Sequence, residues 1–219
     1  MKKHYEVLRR CSLFAGIEDD QLMAMLGCLG ASVERFDKKC TIVAQGNPSR
    51  HIGIVLSGSV QIVHNDFYGN RSIVAGVEPA QLFCESFACA EVAAIPVAVI
   101  ANEPSEIMLI DCSRIMHTCC NHCAFHQQLI FNLMKDLACK NVQFHQKLEV
   151  TSKRTTREKL LTYLDFQAQK AESRVFDIPF DRQELADYLE VDRSGLSVEI
   201  SKLRSEGVLT SNRRHFELL

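Results

Sequence analysis

Hydrophobic positions in the first half of the chain change their spacing near residue 30. Between Ile17 and Leu29 they recur at helical intervals, and the acidic residues 18–20 occupy the first turn, where the helix dipole favours negative charge. Beyond Ala31 the apolar residues fall in short runs separated by turns at intervals of about 8–12 residues, which is typical of an antiparallel barrel or sandwich. These runs lie within 33–43, 52–63, 72–77, 92–101 and 106–110.

The longest uninterrupted pattern lies between Ala124 and Leu148, where neither Gly nor Pro occurs. Its apolar residues recur at steps of four and seven, which predicts one long helix with a single apolar stripe. Such a stripe packs either on its own domain or against a second copy of the chain. We expect the second arrangement, a two-fold dimer seam. The predicted seam residues are Leu129, Leu133, Leu137, Phe144 and Leu148.

The pattern beyond Thr151 predicts a separate small helical domain. Thr155 and Glu158 fit a capping box ahead of an apolar run, so a helix is expected to begin there. The polar residues 167–174 predict a loop after this helix.

Two short helices joined by a tight turn follow the loop, an arrangement typical of the helix-turn-helix. Asp181 begins the first helix as its N-cap, Arg193 begins the second, and Gly207 ends it. Glu190 lies in the turn, where Gly is usual. This departure bears on the expected geometry of the turn and not on the assignment of the helix-turn-helix motif. Residues 208–219 predict a closing β-hairpin.

The exposed side of the second helix is expected to enter the major groove of DNA, where Arg is a common partner of guanine. Between Arg193 and Arg214 five basic residues accompany two acidic ones, which makes this stretch locally positive. A two-helix packing unit with a solvated charged face is the alternative interpretation. The residues predicted to contact DNA are Arg182, Gln183, Arg193, Ser194, Ser197, Lys202, Arg204, Arg213 and Arg214.

Composition and charge restrict the class of protein. Apolar residues make up 47% and charged residues 24% of the 219, which excludes a disordered or fibrous chain. The net charge of −2 excludes a uniformly basic nucleic-acid coat. No apolar run approaches the ~20 residues that cross a bilayer, and the N-terminus lacks the apolar stretch of a signal peptide. We therefore expect a cytoplasmic protein with no membrane partner, whose ten cysteines are reduced.

Four segments together resemble the CRP/FNR family of bacterial transcription regulators, over nearly the whole chain. They are the opening segment 8–17, the strand pair 52–63 with Gly58 at its turn, the short segment 82–86, and the helix-turn-helix segment 180–209. The last match is the most specific.

The resemblance implies an α+β fold in three parts. Residues 1–121 would form an effector-sensing antiparallel β-barrel or jelly roll of the cyclic-nucleotide-binding type. Residues 122–148 would form the long dimerisation helix, and residues 149–219 a winged helix-turn-helix that binds DNA.

The function that the resemblance implies is sequence-specific DNA binding in transcription regulation. The expected partners are a near-palindromic operator in double-stranded DNA, a second copy of the chain, RNA polymerase and a small-molecule effector. A cupin-like metalloenzyme is a remote alternative, because the jelly roll resembles that type. Such a site needs several inward-facing His or carboxylate ligands, and His51 and His64 are too sparse to supply them. We expect no enzymatic activity.

The predicted effector pocket departs from the family members that bind cyclic AMP. In those members an Arg-Ser pair holds the phosphate and a Glu holds the ribose. Glu85 matches the Glu, but Cys84 replaces the preceding Gly, and Ile95 and Pro96 replace the Arg-Ser pair. An apolar Ile does not neutralise a phosphate and Pro lacks an N–H donor, so we expect no cyclic AMP and leave the effector unknown. The predicted pocket residues are Phe83, Cys84, Glu85, Ser86, Ile95 and Pro96.

A Cys/His cluster precedes the long helix and offers a second route to sensing. In an unbroken helix Cys119, His122, Cys123 and His126 would share one face and offer ligands for zinc, an iron–sulfur cluster or haem. Asn121 suggests a break in the helix that would spoil this geometry, and buried cysteines are common without any role. A redox-, metal- or haem-sensing regulator is therefore the alternative function, and these four residues are weak metal candidates.

Overall fold

A computed structural model describes residues 2–65, 71–116 and 124–219. By their internal contacts the residues form two compact units, Met1–Ala138 and Cys139–Leu219. The divide falls inside the long helix, whereas the sequence predicted three parts with that helix as a separate one. No helix of the described residues is long and apolar enough to cross a membrane.

The first unit consists of two antiparallel sheets flanked by short helices. Its elements are α1 Tyr5–Arg10, α2 Asp19–Cys28, β1 Ser32–Phe36, β2 Thr41–Val43, β3 His51–Ser57, β4 Val60–Asn65, β5 Arg71–Val77, β6 Leu82–Phe83, α3 Glu85–Cys89, β7 Ala98–Ala101, β8 Ser105–Asp111 and α4 Cys112–Met116. The sheets have the strand orders β1-β8-β3-β6 and β2-β7-β4-β5. This arrangement confirms the predicted antiparallel jelly roll.

Two features of this unit differ from the sequence prediction. The run 92–101 forms a strand only from Ala98, since Pro96 has no N–H to donate to a strand partner. Helix α3 was not predicted, because its five residues are too few to show a helical period.

The long helix, α5, spans Ala124–Ser152 and begins by packing on the jelly-roll unit. Leu129 and Leu133 are 0% and 1% exposed, within the same core as Leu22 and Ile52. A side chain that its own protomer buries has no surface left for a partner, so these two leucines are core residues and their assignment to the dimer seam is corrected.

Asn132 fixes which side of α5 faces this core. Its Nδ2 donates to the carbonyl oxygens of Leu13 and Ala15 at 2.9 and 2.8 Å, and its Oδ1 accepts from Gln128 Nε2 at 2.9 Å. Because unpaired carbonyls are costly when buried, these bonds hold the N-terminal segment against the helix.

The second unit contains the end of α5, three further helices and a small sheet. Its elements after α5 are α6 Thr156–Ala171, β9 Val175–Asp177, α7 Arg182–Leu189, α8 Arg193–Ser205, β10 Leu209–Asn212 and β11 His215–Leu218. The hairpin β10–β11 was predicted, and β9 extends it to a three-stranded antiparallel sheet. The capping box of Thr155 with Glu158 is confirmed, as is the N-cap at Asp181.

The predicted loop 167–174 is largely wrong. Helix α6 continues to Ala171 and ends at Glu172, which takes a left-handed backbone conformation with φ 49°. Polarity alone suggested a loop, but an amphipathic helix also exposes polar residues at its end.

Candidate recognition helix and effector pocket

The turn between α7 and α8 has the geometry of a helix-turn-helix despite its glutamate. Glu190 adopts φ 53°, the left-handed conformation that Gly usually supplies at a helix end. The Val191 N–H donates to the Ala186 carbonyl oxygen at 3.0 Å, which closes the turn. Asp192 then begins α8 as its N-cap, accepting from the Gly195 N–H at 2.9 Å. The departure noted in the sequence therefore changes the residue type and leaves the turn intact.

Helix α8 has two different sides. Leu196, Ile200 and Leu203 are buried in the core of the second unit together with Leu185 and Leu189 of α7. The opposite side is exposed, polar and rich in hydroxyl groups, and it carries an open depression of about 450 Å³. Ser197, Val198, Ser201, Lys202 and Ser205 line that depression.

The residues predicted to contact DNA fall into two sets: one is exposed, and the other is partly buried or contacts other side chains of the same unit. The exposed set lies on α8 and at the hairpin tip: Arg193, Ser194, Ser197, Lys202, Arg204 and Arg213. Gln183 of α7 is exposed and donates to Asp187 at 2.8 Å, while Arg214 lies 3.5 Å from Glu184. Arg182 is half-buried, and burial lowers the pKa of its guanidinium. Solvent exposure is therefore greatest for the set on α8 and at the hairpin tip.

An arginine of helix α6 pairs with the acidic residues of α8 and of its C-terminal cap. Arg157 Nη1 lies 3.5 Å from Glu199 Oε1 and donates to Glu206 Oε1 at 3.0 Å. The hydrogen bond from Arg157 lowers the pKa of Glu206, which keeps that carboxylate charged and paired. The two negative charges counted in the sequence are thus matched by a cation on another helix. Arg193, Arg204 and Arg213 of the exposed set form no ion pair with the residues that the structure describes.

The C-terminal half of α5 is attached to the turn, a contact that the sequence analysis missed. Lys147 Nζ lies 4.2 Å from the ring centroid of Tyr188 and also donates to the Tyr188 carbonyl oxygen. The same nitrogen is 3.6 Å from Glu190 Oε1. Burial lowers the pKa of Lys147, against the opposing effect of Glu190. Since Lys147 and Tyr188 are far apart along the chain, no local spacing predicts this cation–π contact.

The predicted effector residues lie together only in part. Phe83, Cys84 and Ile95 are buried in one apolar cluster, and Glu85, which is 4% exposed, begins α3 beside them. Ser86 is exposed on α3, and Pro96 is exposed next to Ile95. Burial raises the pKa of the Cys84 thiol to about 12, so this thiol is protonated at neutral pH. The position that the resemblance compares with a phosphate-binding Arg is therefore an apolar core position.

A cavity of about 190 Å³ lies beside this cluster, and of the predicted pocket residues it uses Phe83 alone. Its lining residues are Ile42, Val43, Ala44, Asn47, Pro48, Ser49, His51, Phe83 and Leu109. Apolar side chains dominate this lining, and it includes neither Lys nor Arg. Sequence reasoning missed the other lining residues because they come from β2, β3, β8 and the loop 44–50, which are distant from Phe83 in the chain.

The Cys/His cluster falls largely outside the described residues. Cys119, His122 and Cys123 lie there, so the proposed metal site stays a prediction. His126 is described: it is buried, and its Nε2 lies 3.0 Å from the Ile115 carbonyl oxygen. Within the described ranges no group of three or more metal-ligating side chains occurs.

Comparisons with known proteins agree with this architecture. A family model for the cyclic nucleotide-binding domain matches residues 33–121, and a model for a Crp-like helix-turn-helix domain matches residues 158–219. No curated protein matches the chain.

Solved structures share the fold over nearly the whole chain. The catabolite activator protein of Thermus thermophilus is 20% identical, with a TM-score of 0.57 over 95% of this chain and 93% of its own. DNR from Pseudomonas aeruginosa is 20% identical, with a TM-score of 0.51 over 100% and 95%. CLP from Xanthomonas campestris, a c-di-GMP responsive global regulator, is 15% identical, with a TM-score of 0.59 over 92% and 99%. At these identities the likeness shows the fold alone.

Proposed function

The chain belongs to the CRP/FNR family of transcription regulators, and from this premise we propose that it binds a near-palindromic operator as a homodimer. It is a DNA-binding regulator, not an enzyme, and helix-turn-helix regulators of this family act as dimers. The finer proposal is that α8 enters the major groove, that RNA polymerase is a partner, and that the effector is a small molecule other than cyclic AMP.

The two-sided character of α8 carries this proposal. One side packs against α7 through buried leucines, which fixes the helix on its unit. The other side presents exposed Arg193, Ser197 and Lys202, whose donors and hydroxyl groups match base edges and phosphates. A two-fold axis would place two such helices about one DNA turn apart, roughly 34 Å.

Selection from a random duplex library with the full chain tests the proposal. We expect enrichment of near-palindromic sequences whose half-sites lie about one helical turn apart. Enrichment of no sequence above the nonspecific background would overturn the proposal.

Arg193→Ala is expected to weaken binding to the selected operator by about 1–3 kcal/mol and to relax preference at one base pair in each half-site. Arg193 is exposed at the start of α8, where side chains contact base edges in this motif. Competition binding with single-base operator variants measures both effects. Arg10→Ala, which removes an exposed arginine of the first unit, is the matched control. Equal weakening on every sequence would make Arg193 a phosphate contact instead.

Val198 is expected to contact a thymine methyl group. It is an exposed apolar side chain within the otherwise polar depression of α8, and such side chains pack on the thymine methyl in the major groove. Val198→Ala should lose about 1 kcal/mol on the selected operator. Uracil at the contacted thymine should weaken the unsubstituted protein similarly and the variant no further. If uracil at every position leaves affinity unchanged, this assignment is wrong.

Cyclic AMP is expected to leave the Tm of the full chain unchanged. The position compared with the family's phosphate-binding Arg is the buried Ile95, and the lining of the nearby cavity has neither Lys nor Arg. Since a ligand that binds the folded state raises Tm, thermal unfolding with increasing cyclic AMP measures binding directly. A concentration-dependent rise in Tm would contradict this expectation. The apolar lining instead favours a small, largely apolar effector.

We propose a dimer seam in a register different from the one predicted from sequence. Leu137, Phe144 and Leu148 remain in it, while residues of the exposed and half-buried side replace the two core leucines. The spacing of the proposed set alternates between four and three residues, as in a coiled-coil seam. Its members are Ile130, Met134, Leu137, Asn141, Phe144 and Leu148.

A further inference from the structure

Two cysteines far apart in sequence meet inside the first unit. Cys89 Sγ and Cys112 Sγ are 3.4 Å apart, although 23 residues separate them. Cys89 is the last residue of α3 and is half-buried, and Cys112 is the first residue of α4 and is 3% exposed. The cluster considered in the sequence analysis did not include Cys89.

The geometry leaves little movement between this contact and a covalent bond. A disulfide has an S–S length of about 2.05 Å, so the sulfurs need to approach by little more than about 1 Å. The Cys112 N–H donates to the Arg50 carbonyl oxygen at 2.9 Å, which fixes the backbone of that cysteine to the jelly roll. Cys89 is the last residue of α3, so we expect the small approach to occur at this helix end.

We propose that Cys89 and Cys112 form an oxidisable dithiol site that a hydroperoxide converts into a disulfide between α3 and α4. The inference does not depend on the proposed DNA binding. Half-burial leaves Cys89 accessible to a small oxidant. The buried Cys112 thiol lies in contact with it and would act as the resolving thiol.

The reaction balances with hydrogen peroxide as the oxidant. The Cys89 thiol releases its proton, the thiolate attacks one peroxide oxygen, and the O–O bond breaks to give a sulfenic acid. The departing hydroxide takes up the released proton and leaves as water. The Cys112 sulfur then attacks the Cys89 sulfur, the S–S bond forms and the S–O bond breaks. The proton of the Cys112 thiol passes to the departing hydroxide, which leaves as a second water. Two thiols are oxidised by two electrons and one peroxide is reduced.

The hydrogen bond between the two thiols supports these roles. The two thiols share one hydrogen bond, in which either sulfur can donate. This interaction lowers the pKa of Cys89 and raises that of Cys112. The thiolate is the reactive form of a cysteine, so the pair supplies an attacking sulfur and a protonated second sulfur. Cys84, which the apolar cluster buries, has its pKa raised by burial and is expected to stay unreactive.

The bond would join two elements next to the predicted effector region. Helix α3 begins at Glu85, so a disulfide at its other end would hold that carboxylate's helix against α4. Oxidation would thereby restrict the element on which the predicted pocket depends.

Peptide mapping of the full-length protein tests the proposal. The protein is treated with hydrogen peroxide, blocked with an alkylating agent, digested without reductant and analysed by mass spectrometry. We expect a peptide linked through Cys89 and Cys112 that dithiothreitol separates. Cys89→Ser should abolish this link, whereas Cys28→Ser, which changes an exposed cysteine elsewhere in the unit, should retain it.

A second variant separates loss of the resolving thiol from misfolding at the buried position. Cys112→Ala keeps the site small and apolar, and circular dichroism checks that it folds. In this variant Cys89 should accumulate as sulfenic acid, trapped by dimedone, because its resolving thiol is gone. Linkage of Cys89 to a different cysteine, or full oxidation of Cys89 in the unsubstituted protein without any link to Cys112, would overturn the proposal.

Discussion

Replacing Met134 and Phe144 together by glutamate is expected to give monomers and to reduce affinity for the selected operator by at least about 100-fold. The two side chains are 61% and 68% exposed on the helix that carries the proposed seam. Burying four carboxylates in a two-fold seam is unfavourable, so the variant protomers should remain apart. Each recognition helix then binds alone and loses the effective concentration that its partner supplies. Sedimentation equilibrium measures the mass, and operator titration the affinity.

A matched variant separates charge from seam position. Gln143→Glu with Gln146→Glu adds the same number of charges on another side of α5, at exposed residues, and should leave the dimer intact. Leu133→Glu should instead destabilise the first unit, because that leucine is a core residue. If the Met134 and Phe144 variant stays dimeric, the seam is not on this side of α5. The random-library selection would still decide the DNA binding independently.

Gly53→Ala is expected to lower the free energy of unfolding by about 3 kcal/mol, a large effect for one methyl group. Gly53 in β3 pairs with Phe83 in β6, and an added Cβ would overlap the phenyl ring. Relief requires moving Phe83, which precedes Cys84 and Glu85 in the predicted effector region. Chemical denaturation with urea measures the stability change.

Gly76→Ala is the control for this substitution. Gly76 lies in β5, is exposed, and a Cβ there would meet nothing within 4 Å. Since glycine within a strand costs about 0.5–1 kcal/mol relative to alanine, this variant should be slightly more stable than the unsubstituted protein. Equal stability of the two variants would show that the ring of Phe83 yields without cost.

Local sequence predicted the helix-turn-helix in detail. The N-cap at Asp181, the start of α8 at Arg193 and the closing hairpin all depend on residues within a few positions of one another. Glu190 is instructive, because the turn forms although the residue is not Gly. Local hydrogen bonds and buried leucines on both helices outweigh the strain of one left-handed residue.

The effector region was less predictable. Resemblance placed Glu85 and Ile95 in one region, and both are buried there. The nearby cavity, however, is lined mostly by residues of other segments, such as Ile42 of β2, Pro48 of the following loop and Leu109 of β8. Strand pairing between distant segments decides which side chains meet, and a hydrophobic pattern does not record it.

The sequence by itself determined the class of protein, the order of its parts and the local elements of DNA recognition. Helical period, capping residues and strand alternation act over a few residues, so they can be recognised without a fold. The tertiary structure alone decided which side of α5 is core, that Arg157 offsets Glu206, and that Cys89 meets Cys112. Each of these depends on packing between segments far apart in the chain. An apolar stripe predicts that one side of a helix will be buried, whereas the tertiary structure determines which residues that side packs against.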